Sequence, residues 1–94
     1  MIYMSGQVAE GSTVEEQTRK ILSTIDNILF KHGSDKSRIL ELTIWLSNIE
    51  KDYNSMNKAY DEWITPGAPP CRACVEAKLY SPNCFVEIRV IAVA

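Results

Sequence analysis

The feature that most constrains the fold is a pair of short alternating runs near the carboxy terminus. They are Cys71-Arg72-Ala73-Cys74-Val75-Glu76-Ala77-Lys78-Leu79 and Phe85-Val86-Glu87-Ile88-Arg89-Val90-Ile91-Ala92-Val93. Proline or turn residues precede each run, and a period of two places successive side chains on opposite faces of a sheet. The expected core face takes Ala73, Val75, Ala77 and Leu79 from the first run, with Val86, Ile88, Val90 and Ala92 from the second. The other face then carries Arg72, Cys74, Glu76 and Lys78 with Phe85, Glu87, Arg89 and Ile91.

Upstream, Ile2 to Val8 reads as a first strand. Ser12 and Glu15 form a capping box for a helix whose apolar stripe is Val14, Ile21, Leu22, Ile25, Ile28 and Leu29. Gly33 is the expected stop, and His32 in the last turn suits the negative helix end. Ile39 to Ser47 reads as a second strand with Leu40, Leu42, Ile44 and Leu46 on its apolar face. Asp52 is the expected N-cap of a second helix bearing Tyr53, Met56, Tyr60, Trp63 and Ile64. The order strand, helix, strand, helix, strand, strand predicts one α+β domain over residues 1–94, a two-layer structure with a four-stranded mixed sheet and both helices on one face. A sheet covered on one side leaves Trp45, Phe85 and Ile91 on the other, and a second copy of the chain is the expected cover.

Several function classes fit poorly. A net charge of −2 with no run of basic residues argues against a nucleic-acid partner, which would be held by clustered Lys and Arg. Hydrophobic residues at 46% and charged residues at 23% are globular values and point to no membrane span. Met1-Ile2-Tyr3-Met4-Ser5-Gly6 lacks the charged and apolar regions of an export signal, so a cytoplasmic protein with free thiols is expected.

Cys71-Arg72-Ala73-Cys74 has the spacing of redox and zinc sites, but on a strand the two thiols point to opposite faces and cannot chelate together, so no metal is expected. Arg72 and Glu87 carry more promise. A guanidinium offers paired donors that match a carboxylate, and a glutamate in an apolar strand can orient or deprotonate a water. The alternative is that both are solvated members of a polar strand face.

Ser5-Gly6-Gln7, Glu16-Gln17-Thr18, Pro70-Cys71-Arg72-Ala73-Cys74-Val75-Glu76 and Val86-Glu87-Ile88 followed by Val90-Ile91-Ala92-Val93 resemble the RidA/YjgF family of reactive-intermediate imine/enamine deaminases. Asp35-Lys36-Ser37-Arg38-Ile39-Leu40 and Met56 to Trp63 look most like its YoaB-like branch. The resemblance implies a chorismate-mutase-like fold in which the last two strands need not pair. It also implies a homotrimer with clefts between subunits, and hydrolysis of 2-imino acids, formed from enamines such as 2-aminoacrylate, to 2-keto acids and ammonia without a cofactor. By the same resemblance Arg72 holds the substrate carboxylate, Glu87 attends the attacking water, and Cys74, Ser5 and Asn57 line the cleft. Family members usually carry a further segment before the Ser-Gly-Gln strand, and its absence here raises the alternative of a non-catalytic trimer that binds small carboxylates or regulates a partner.

Overall fold

The computed structural model describes residues 1–94 as β1 (Ile2–Tyr3), α1 (Val14–Lys31), β2 (Ile39–Leu46), α2 (Ile49–Trp63), β3 (Cys71–Glu76) and β4 (Val86–Ala92), with one 3-10 turn before β2. The sheet order is β1-β4-β2-β3. β2 and β3 run parallel, whereas β4 is antiparallel to both β2 and β1. The final two strands are therefore not a hairpin, and β3 is an edge. Both helices lie on one face: Ile21, Leu22, Ile25 and Leu29 of α1 and Met56 of α2 are fully buried with Leu42, Ile44, Leu46, Val86, Ile88 and Val90 of the sheet.

α1 forms where its apolar stripe meets this sheet, but its cap falls one residue later than expected. Thr13 is the N-cap and its hydroxyl accepts from the Glu16 amide, while the Glu16 carboxylate reaches back to the Ser12 amide at 3.0 Å. The far end stops as expected. Gly33 takes a positive φ of 72°, letting the Ser34 and Gly33 amides return to the Leu29 and Phe30 carbonyls. His32 Nδ1 lies 2.9 Å from the Ile28 carbonyl in the same turn.

Other expectations need correction. β1 is short, and only an isolated bridge between Gln7 and Ile88 continues its pairing. In β2 a bulge between Ile39 and Glu41 changes the alternation at its start, so Ile39 is buried and Leu40 is exposed. α2 begins earlier than expected: Asn48, not Asp52, is its N-cap and accepts from the Lys51 amide.

The largest correction concerns β3. Its register pairs Arg72 with Leu42 and Cys74 with Ile44, so Arg72 and Cys74 face the helices while Ala73 and Val75 are exposed on the opposite side. Strand periodicity says which residues share a face but not which face is covered. At this edge the helix layer offers polar partners instead of a closed core. Phe85 also moves: it packs against the core and does not lie on the uncovered face. That face keeps Trp45 and Ile91, with the Arg89 guanidinium 5.7 Å from the centre of the Trp45 ring.

Candidate functional site

Arg72 sits at the rim of the helix-covered face, on the edge strand β3, opposite one stripe of α2. Its Nη1 donates to Asn57 Oδ1 at 2.7 Å and its Nη2 to the Tyr53 hydroxyl at 3.1 Å. The guanidinium carbon lies 4.5 Å from the centre of the Tyr60 ring. Tyr53, Asn57 and Tyr60 are spaced i, i+4, i+7 and so share one face of the helix. Asn57 is oriented in turn, because its Nδ2 donates to Asp61 Oδ2 at 3.3 Å, which leaves its carbonyl oxygen for Arg72.

None of the groups holding Arg72 is a carboxylate, and it enters no ion pair in the chain. A guanidinium has five N–H donors, of which two are used here. The half-buried cation is thus fixed in direction with donors and net charge to spare, the arrangement that takes a planar carboxylate. Cys74 lies two residues along the same face, and burial pushes its thiol up while the Arg72 charge opposes that in part. Burial likewise raises the Tyr60 phenol, again against Arg72.

Glu87 is elsewhere. Its register partner is Trp45, on the sheet face away from the helices, and β2 lies between β4 and β3. Within one chain Arg72 and Glu87 therefore stand on opposite faces of the sheet. Glu87 instead meets the amino-terminal segment: a Cβ placed on Gly6 would come within 2.0 Å of Glu87 Oε2. Gly6 is what lets the carboxylate lie against this backbone. Ser5, next along, is exposed, and its carbonyl accepts from Gln7 Nε2 at 3.0 Å. Glu87 makes no ion pair either.

The five expected site residues thus separate: Arg72, Asn57 and Cys74 lie on the helix side and Glu87 on the other face beside Gly6, whose chain neighbour is the exposed Ser5. Tyr53 and Tyr60, expected on the second helix without a functional role, hold the arginine; their helical spacing with Asn57 is the signal in the sequence. Cys71 and Cys74 face opposite sides of β3. Gln17, fully buried, donates to the Gly11 and Asn83 carbonyls and accepts from the Phe85 amide, so it pins the loop before β4 to α1.

Fold and site together define a class: two-layer α+β domains with a mixed four-stranded sheet and an arginine, free of ion pairs, at the rim of the covered face. The chain matches the family described as Endoribonuclease L-PSP over residues 1–94. A RutC family protein of Haemophilus ducreyi is 47% identical over 92 residues, spanning 96% of this chain and 78% of that protein. RutC family protein YoaB of Escherichia coli is 46% identical over 77 residues, spanning 82% of this chain and 67% of that protein. The crystal structure of a YjgF family member from Neisseria meningitidis superposes with a TM-score of 0.94 at 44% identity, covering 97% of this chain and 76% of that one. The chain belongs to the YjgF/RidA family. No helix is long and apolar enough to cross a membrane.

Proposed function

We propose that this protein hydrolyses reactive 2-imino acids, such as those formed from 2-aminoacrylate, to 2-keto acids and ammonia. The observation that carries the reading is Arg72: half-buried, aimed by Asn57 and Tyr53, stacked on Tyr60, and without a carboxylate partner. A 2-imino acid supplies the missing carboxylate and places its electrophilic carbon one bond away. Water then adds to that carbon of the N-protonated imine while Glu87 accepts a proton from it. The resulting 2-amino-2-hydroxy acid takes that proton from Glu87 on nitrogen, and the carbon–nitrogen bond breaks with its electron pair leaving on ammonia. The hydroxyl gives its proton to the Glu87 carboxylate so regenerated, which releases it to solvent, and becomes the keto oxygen. An imine is already electrophilic, so positioning and one base supply much of the acceleration.

Because Arg72 and Glu87 lie on opposite faces of one chain, the reaction requires the two half-sites to come from neighbouring copies. A head-to-tail contact that pairs one half-site with the other generates a ring when the rotation closes. The homotrimer implied by the resemblance is such a ring, and the edge strand β3 with exposed Ala73 and Val75 is a surface that association would cover. The family's description as an endoribonuclease supports a different substrate, but an acidic chain of pI near 5.3 offers little to a phosphate backbone.

The test is release of ammonia and keto acid from enzymatically generated 2-aminoacrylate, with the wild-type chain, Arg72→Ala and buffer alone. Acceleration by the wild type that is lost in the variant supports the reading. A folded oligomer without acceleration refutes it and leaves the non-catalytic carboxylate-binding alternative.

A further inference from the structure

A second groove, away from Arg72, lies between the first turns of α1 and α2 and has a volume of about 680 Å³. Asp52, in the first turn of α2, forms part of its wall and is only 8% exposed. Its carboxylate makes no ion pair. No buried side-chain oxygen of the chain is both sealed from solvent and unpartnered, so the small open fraction of Asp52 includes its carboxylate, which opens into the groove. A helix dipole explains an acidic residue in a first turn, but an exposed one would serve as well. Burying a carboxylate without a donor is costly, and a bound donor would offset that cost.

The remaining charges of the groove separate into satisfied and free. Glu15 and Arg19 pair with each other, and Arg19 also with Glu62 at 2.7 Å. Glu16 is taken by Ser12 and Lys20. Left over are the Asp52 carboxylate and the Lys51 ammonium, one of each sign, neither in an ion pair. The Thr13 hydroxyl, which accepts from the Glu16 amide, still has its own proton to donate, and Ser55 lies one turn beyond Asp52. Phe85, half-buried, supplies the apolar wall. No three His, Cys, Asp or Glu side chains converge anywhere in the chain in a way that would hold a metal ion. A single carboxylate with hydroxyls beside it suits an ammonium, which brings three directed donors.

We infer that this groove binds a free α-amino acid with an apolar side chain, its ammonium on Asp52, its carboxylate toward Lys51 and its side chain against Phe85. The site is independent of the imine reaction, and its ligand is the amine counterpart of an imino acid.

The experiment is a backbone-amide NMR titration of the intact protein with L-phenylalanine, with phenethylamine and 3-phenylpropionate as single-charge probes. Saturable shifts are expected at residues 13–16 and 51–55. Asp52→Asn should weaken L-phenylalanine about tenfold or more, and Lys51→Ala, a surface change, should weaken it severalfold while sparing phenethylamine. Arg72→Ala should leave the titration unchanged. Shifts that map to Arg72 and vanish in Arg72→Ala would overturn the inference, as would equal affinity for all three probes. No shift at about 10 mM ligand, or undiminished binding by both Asp52→Asn and Lys51→Ala, would overturn it too.

Discussion

Gly6→Ala offers a way to separate the fold from the chemistry. The added methyl would sit 2.0 Å from Glu87 Oε2 and 2.9 Å from its carboxyl carbon, where ordinary contact begins near 3.4 Å. The carboxylate must therefore retreat by about 1.4 Å. It is the far end of a flexible side chain, so the retreat is cheap. Gly6 has no positive φ, and alanine can adopt its backbone conformation. Replacing a compatible glycine also removes freedom from the unfolded chain, a gain of about 0.4–1 kcal/mol. Folding stability should thus stay within about 1 kcal/mol of wild type. Catalysis should not, because a displacement of about 1 Å in a reacting group can cost on the order of 100-fold. The assay pairs urea unfolding with keto-acid release from 2-aminoacrylate. A large drop in kcat with an unchanged unfolding midpoint is expected. Unaltered kcat in a folded variant would refute a catalytic role for a carboxylate placed by Gly6.

Arg72→Lys keeps the charge but loses the paired donors, so carboxylate affinity should fall about tenfold or more, read as a raised KM; equal KM would mean that charge alone suffices. Ile44→Ala, at a fully buried centre of the sheet, should cost about 2–5 kcal/mol, whereas Leu40→Ser on the bulge should cost under about 0.5 kcal/mol; equal losses in denaturant melts would contradict the bulged register. Alkylation by iodoacetamide followed by mass spectrometry should modify exposed Cys71 first, Cys74 more slowly because burial holds its thiol protonated, and buried Cys84 last. Stability should also fall at both ends of the pH range. Burial raises Cys74, Cys84 and Tyr60, so the native state retains protons that the unfolded chain releases; the contribution of the two thiols is full below the ordinary thiol range and that of Tyr60 below the ordinary phenol range, and each declines as pH rises through and above its own range. Hydrogen bonds from Ser12 and Ser37 hold Glu16 and Asp35 below the ordinary carboxylate range, so their contribution is present above that range and is lost as pH falls. Melts between about pH 3 and 10 would show a plateau with both shoulders, and a flat profile would contradict these shifts.

The chain's local chemistry already determined much of this protein. Strand periods of two and helix periods near 3.6 are properties of the backbone, so the six main elements, the stripe Ile21, Leu22, Ile25 and Leu29, and the stop at Gly33 could be read directly. Caps were less legible: Ser12 and Asp52 are the expected caps and Thr13 and Asn48 the observed ones, all four have side-chain oxygens able to cap, and only the geometry of the adjoining loop chooses between them. The sequence motifs also named Arg72, Asn57 and Glu87 as residues of interest.

Tertiary structure alone decided which way β3 faces. Its alternation is symmetric to a flip, and parallel pairing with β2 in the register Leu42 to Arg72 turned the arginine toward α2 and left Ala73 and Val75 outside. The same decision put Tyr53, Asn57 and Tyr60 around the guanidinium and sent Glu87 to the opposite face, beside Gly6. Long-range pairing fixes these relations because a side chain's face depends on what lies across the sheet, and no local period carries that information.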